Sequence, residues 1–386
     1  VIDSEAQSFN ATMTGGAGST MTLSAGGTLN VAVATDPKAA LVVAGSTVTI
    51  GQFVAQAKYE GMTLKAFGFS IGSPDNFVNA TDDFNQLDTI EVWESGGSSA
   101  LGTISISAAT ATVTPSTPLS LSINEQKTYL VKAKFKSVSS PSVATSNTGM
   151  AITMTNVDVT GTSAGSSTVT KAGTNTAFKS FTSFKSIPTV TLGTITADQF
   201  LTANTAFDMY KFSVSANSAG PIAIAKFTFG VATTTDTTLN QSKFILLSGD
   251  SAGNTTETLS GNADFLVLAT GSTGSNTLVI EARFDVNNDD SVAVATADKG
   301  EHLVINAGTT KYFTLRGEAS VADSTANDDS ISTVLAGDPT GITALATNYG
   351  GVDGTANDDF IWSDLNFDLY TTSTATQTYG WWNGYR

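Results

Sequence analysis

Four short segments occur twice in this chain, in the same order, and that repetition constrains the fold more than any other feature. Lys65-Ala66-Phe67-Gly68-Phe69 resembles Lys226-Phe227-Thr228-Phe229-Gly230, with Phe67 and Phe69 matching Phe227 and Phe229. Each follows an alternating run, residues 52–59 and 209–216, and a turn at Glu60-Gly61 or Ser218-Ala219-Gly220. The run 88–93 with Gly96-Gly97 resembles 243–247 with Gly249-Asp250, and 120–129 resembles 302–312. Alternation puts every second side chain on one strand face. Phe53, Ala55, Ala57 and Tyr59 therefore share a face. Tyr129, Val131, Ala133 and Phe135 share another, with Lys132, Lys134 and Lys136 pointing the opposite way. Turn residues interrupt these runs about every ten residues and no helical period with caps is present, the pattern of a sandwich or barrel.

A unit repeated once in this manner predicts an all-β chain: tandem Ig-like β-sandwich domains with an N-terminal extension strand. The expected boundaries are an extension over 1–45, a first sandwich over 46–182, a connector over 183–195 and a second sandwich over 196–386. A length of 386 residues gives each sandwich enough chain to bury a core.

Composition narrows the function classes. Charged residues are 13%, about half the usual share, so the polar surface is built from Thr, Ser, Asn and Gly. That profile suits secreted β-rich proteins. With no cysteine, disulfide scaffolds, Cys-zinc sites and thiol enzymes are excluded. No apolar run is long enough to span a membrane as a helix. No signal peptide is present, and the Val1-Ile2-Asp3 start is expected to be a processed end. The net charge of −16 is uneven: residues 1–190 carry ten lysines against twelve acidic residues, and 191–386 carry eight basic against twenty-two acidic. This argues against nucleic acid as a partner and points to divalent cations or a basic partner surface.

Catalysis has little to build on. His302 is the one histidine, and no Gly-x-Ser-x-Gly elbow accompanies it. Hard oxygen ligands for Ca2+ are plentiful. Asp285, Asn287 and Asp289 stand at the i, i+2, i+4 spacing that opens an EF-hand loop, but Asp290 and Thr296 occupy the places of its Gly and Glu. A looser sandwich-loop site or an Asn/Asp turn remain the two readings. Thr325-Ala-Asn-Asp-Asp-Ser330 and Thr355-Ala-Asn-Asp-Asp-Phe360 are near-identical. Each reads as the turn launching a strand; the sharper reading holds one Ca2+ between Asp328, Asp329, Asp358 and Asp359.

Residues 21–33 alternate with no local partner, so Met21, Leu23, Leu29, Val31 and Val33 form a strand that completes either its own sandwich or a neighbour's. Lys132, Lys134 and Lys136 either solvate their strand or meet the acidic half of a second copy. The tail holds three of the four tryptophans, Trp362, Trp381 and Trp382. Alternation over 360–370 puts Ile361, Leu365, Phe367 and Leu369 on the core face and Trp362 at the rim, leaving Trp381, Trp382 and Tyr385 for contacts beyond the module.

Phe360-Ile361-Trp362-Ser363-Asp364, a Thr/Ser-rich spacer and Trp382-Asn383-Gly384-Tyr385 together resemble the C-terminal signature of large exported surface proteins from ultrasmall candidate-phylum (Patescibacteria-type) bacteria. The resemblance implies chains of β-sandwich modules, a surface location and structural or adhesive use, and it supplies no catalytic residues. The expectation is a non-enzymatic cell-surface protein, the subunit of an extracellular pilus-like filament or surface layer. It would polymerise with itself by donating the 21–33 strand and by head-to-tail charge contacts. The alternative is an adhesin whose tail tryptophans stack on carbohydrate.

Overall fold

The computed structural model describes residues 26–34, 40–72, 83–138, 148–162, 169–195, 205–234, 237–259, 265–270, 277–284, 303–321, 329–337, 343–344, 359–365 and 381–383. They form an all-β chain of two tandem Ig-like sandwiches, and no helix among them is long and apolar enough to cross a membrane.

In the first sandwich, one sheet has the order β11 (Thr170–Ala172), β1 (Thr28–Val33), β3 (Thr47–Lys58), β9 (Gln126–Phe135), β5 (Leu87–Glu94), β6 (Ala100–Ser105). The facing sheet runs β2 (Ala40–Val43), β13 (Phe181–Phe184), β10 (Thr148–Gly161), β4 (Met62–Gly72), β7 (Thr110–Val113). Two short strands join it, β8 (Leu119–Leu121) on β4 and β12 (Thr176–Ala177) on β10.

In the second sandwich, the corresponding sheet is β14 (Pro188–Leu192), β15 (Ala206–Ala216), β23 (Thr310–Val321), β18 (Ile245–Gly249), β19 (Glu257–Thr258), with β17 (Thr237–Leu239) also on β23. Its partner is β20 (Phe265–Thr270), β21 (Thr277–Phe284), β16 (Ile222–Thr233), β26 (Phe360–Ser363), β27 (Trp381–Asn383), β25 (Thr343–Ala344). β22 (Leu303–Ile305) and β24 (Ile331–Leu335) also pair with β16.

The register makes the repeat exact to the residue in the strand ladders. Phe53 faces Tyr129 across β3 and β9, and Phe212 faces Phe313 across β15 and β23. Tyr129 therefore corresponds to Phe313, one residue from the Tyr129–Tyr312 match that the sequence suggested. Leu121 on β4 matches Ile305 on β16, and the left-handed Asn124 (φ 62°) matches Gly308 (φ 70°). Each core is an aromatic cluster at the spacing such rings prefer. Phe53, Phe67 and Tyr129 lie 5.3–5.8 Å apart, and Phe212 lies 5.0 Å from Phe313 and 5.1 Å from Phe227.

The N-terminal strand is not spare. Val33 pairs with Phe53 on β3 as Leu192 of β14 pairs with Phe212 on β15, so β1 is the first strand of the first sandwich just as β14 is of the second. Leu29 and Val31 are buried in the first core, and Val33 is 40% exposed. β1 also pairs with β11, and the Gly27 N–H donates to the buried Glu60 carboxylate at 2.7 Å. A Cβ on Gly27 would stand 2.5 Å from Glu60 Cγ, which is why glycine opens this strand. The trans donor expected for 21–33 is corrected accordingly: over 28–33 the strand is consumed in cis, and Met21 and Leu23 lie outside the described residues.

The second sandwich departs from the first along one edge. In the first, β10 runs unbroken beside β4, with a β-bulge between Met154, opposite Phe69, and Asn156. In the second, the matching edge of β16 is shared: Leu335 of β24 faces Phe229, and Phe360 of β26 faces Phe227. Residues 336–359 are thus inserted where the first sandwich has its bulge, a place where the ladder is already interrupted. Both hexapeptides launch a strand here, β24 at Ile331 and β26 at Phe360.

Candidate functional site: the joint between the sandwiches

The chain passes from one sandwich to the other in three residues. β13 lies between β10 and β2 in the first sandwich, running parallel to β2, and β14 opens the second, so only residues 185–187 link them. The connector expected over 183–195 is mostly strand. β13 belongs to both cores: Phe181 is buried in the first and Phe184 in the second, with Leu41 of β2 also packed on the second.

The tail closes over Phe184. β26 pairs with β16 and β27 pairs with β26, setting Trp362 directly opposite Trp382. Both indoles are buried, at 0% and 4% exposure, and each ring centroid is 5.4 Å from that of Phe184. The expected parity is corrected. A register shift in β16 at Ala225 puts Phe360 and Trp362 into the main core and Ile361 into a satellite cluster with Ala223, Ala225 and Leu365. All five residues from Phe360 to Asp364 are buried, so β26 has no rim face.

Hydrogen bonds add position to this packing. The Lys185 N–H donates to Asp364 Oδ2 at 2.9 Å, and Lys185 Nζ donates to the Leu365 carbonyl at 3.1 Å. Leu365 stands in the left-handed region at φ 50°, a conformation held at a cost for a branched side chain. Its N–H donates to Ser363 Oγ, fixing the turn that aims the carbonyl. Ser186 Oγ donates to the Gly220 carbonyl at 2.7 Å, and the Ala44 N–H donates to the Phe184 carbonyl at 2.8 Å. The arrangement couples the two sandwiches through packing and hydrogen bonds, and no nucleophile and base stand together in it among the described residues.

The other candidate residues are placed as follows. Trp382 is sealed inside the chain and offers no exposed platform; the side chain of Trp381 and all of Tyr385 lie outside the described residues. Lys132 sits over the Trp93 ring at 3.5 Å, and Lys134 pairs with Asp88 at 2.8 Å, both partners on the adjacent strand β5. The hydrogen bond that Lys134 donates to Asp88 raises it above its ordinary pKa. Two of the three stripe lysines thus meet their own sandwich, and Lys136 is half-buried beside them. Asp329 accepts from Thr234 Oγ1 at 2.9 Å, whereas Asp359 precedes the pair Phe360–Phe227. Six residues of β16 separate those positions, about 20 Å. One cation shared by the two hexapeptides is therefore excluded for Asp329 and Asp359. Asp285, Asn287, Asp289, Asp328, Asp358 and His302 lie outside the described residues, and among those described no three acidic or His side chains gather as a metal site.

Sequence reasoning missed Phe184, Lys185 and Asp364. An aromatic residue ending one strand and followed four residues later by Pro188 was the available signal.

No family model matches the chain, and no curated protein matches it. Solved structures resemble it distantly. The Streptococcus agalactiae AgI/II polypeptide BspA C-terminal domain is 10% identical with a TM-score of 0.19, over 80% of this chain and 99% of that one. The collagen adhesin from S. aureus is 10% identical with a TM-score of 0.18, over 80% and 84%. The full-length major pilin RrgB from Streptococcus pneumoniae is 9% identical with a TM-score of 0.21, over 72% and 42%. Scores this low assign no function, and the fold described above rests on the strands themselves.

Proposed function

We propose that this chain is a structural subunit of an extracellular surface layer or filament, in which β-sandwiches are coupled end to end. The observation that carries this reading is the joint. A three-residue link sealed by Phe184, Trp362 and Trp382 holds two sandwiches in series, which is of use to a load-bearing or spacing element. The sparse charge and the Thr/Ser/Asn/Gly surface agree with an exported protein. Self-association would proceed through sandwich ends, since β1 is already used in its own sheet. The adhesin reading keeps only Trp381 of its three stacking residues, because Trp362 and Trp382 are buried.

Immunogold labelling of intact cells, with negative-stain microscopy of the concentrated protein, tests this reading. Surface label together with filaments or lattice is expected. Label confined to the cell interior, with a monomer at every concentration, would overturn it.

A further inference from the structure

The turn leading into β9 and the turn leading into β23 share one backbone and differ in their side chains. The Glu125 N–H donates to the Ser122 carbonyl and the Thr309 N–H to the Asn306 carbonyl, both at 3.0 Å. The Ala57 N–H donates to the Glu125 carbonyl, as the Ala216 N–H donates to that of Thr309. With the flanking ladders, residues 120–128 and 304–312 match one to one. In the first sandwich the Glu125 carboxylate accepts from the Ser122 N–H at 2.6 Å and meets Lys127 Nζ at 3.8 Å, so it fills the ground between turn and lysine. Three matched positions differ in the second: Val304 stands for Ser120, Thr309 for Glu125 and Tyr312 for Thr128. The shorter Thr309 side chain turns back, its hydroxyl donating to the Asn306 carbonyl at 2.7 Å. Lys311, in the place of Lys127, donates to Asp250 at 3.1 Å and to Glu257 at 3.3 Å. A cavity of about 530 Å3 opens there, and all three differing residues line it, together with Asp250, Asn306 and Lys311.

We propose that this cavity binds a neutral saccharide. Its volume is that of a small-molecule site. Relative to the first sandwich its walls lose a carboxylate and gain a valine, 44% exposed, and a tyrosine, the kind of surface on which the C–H face of a sugar ring packs. The polar groups are of both kinds: Lys311 donates and Asp250 accepts, so adjacent hydroxyls can be held between them. One ammonium already serves two carboxylates, which disfavours a further anion. The cavity shares no residue with the packing of the joint, so the site stands whether or not the chain assembles.

Calorimetric titration of the intact chain with cellotetraose, mannotetraose, chitotetraose and tetragalacturonate tests this. At least one of the three neutral probes should bind at millimolar concentration or below, and tetragalacturonate should not. Thr309→Glu restores the side chain that fills this place in the first sandwich, on a turn whose twin already carries it. It should weaken the bound probe by about tenfold or more, and Tyr312→Thr should weaken it by about threefold. Both variants should keep the melting profile of the unaltered chain; if Thr309→Glu does not, Tyr312→Thr decides. Binding by none of the neutral probes, binding that both variants leave unmoved, or a preference for tetragalacturonate would each overturn the proposal.

Discussion

The two sandwiches share a plan and differ in what they bury. The first packs a hydroxyl at its centre: Tyr129 OH has no hydrogen-bond partner among the described residues, and burial, with Glu94 and Glu125 nearby, pushes its phenol far above the ordinary range. The second has Phe313 there, but buries a charge pair on the β16–β21 ladder instead, Lys226 Nζ to Glu281 Oε1 at 2.8 Å with both side chains almost fully enclosed. The first keeps its β10 edge whole, and the second opens the same edge for an insertion. A ladder register can thus persist while the polar load moves from the middle of a core to the flank of a sheet.

The largest way to break the parallel is to delete residues 1–34. Because β1 fills the place that β14 fills in the second sandwich, the deletion should unfold the first sandwich outright, read as loss of about half the strand signal in circular dichroism. Phe184→Ala comes next. It should lower stability by about 3–5 kcal/mol, and should do so in the second sandwich although the residue lies on a strand of the first. Chemical denaturation followed by tryptophan emission measures it, since Trp362 and Trp382 report on that core. Lys226→Met leaves Glu281 buried without its partner and should cost the second sandwich about 3 kcal/mol. Lys226→Met with Glu281→Leu should recover much of the loss.

Smaller effects sharpen the comparison. Tyr129→Phe converts the first core to the second's composition and should raise its stability by about 1 kcal/mol, because the buried hydroxyl is unsatisfied. Phe313→Tyr should lower the second by a similar amount. Asp208 should give the smallest effect. Burial pushes its carboxyl up, but hydrogen bonds from Lys211 and Arg316 outweigh that and hold it below the ordinary range. A depressed folded pKa contributes stability above the unfolded value that is lost as pH falls through the folded one. Asp208→Asn should therefore remove less than about 1 kcal/mol at neutral pH and flatten the acid limb of the stability curve.

The fold was legible where one physical rule acted alone. Alternation placed Phe53, Ala55, Ala57 and Tyr59 on one face; the first three are buried, whereas Tyr59 stands past the end of β3 at φ 72° and is exposed. Turn chemistry announced the strands after the two Thr-Ala-Asn-Asp-Asp segments. Legibility failed where a second rule intervened. At 360–364 both strand faces are buried and the partner strand shifts register, so alternation could not say which face held the core. The Asp329 to Asp359 separation depends on two strands sharing one edge of β16, and nothing local to either segment encodes that. The joint was illegible for the same reason: Phe184 reads as the end of one module, and only the ladder pairing of Trp362 with Trp382 shows what it enters.

Phe184 projecting from one sandwich into the next also gives the chain a direction. The first sandwich presents an inserting residue, and the second a receiving pocket assembled from its own tail. Exchanging the order of the two would leave the pocket empty and the phenylalanine in water. Longer arrays made on this plan could be extended from either end but never reversed, so every copy in them would point the same way.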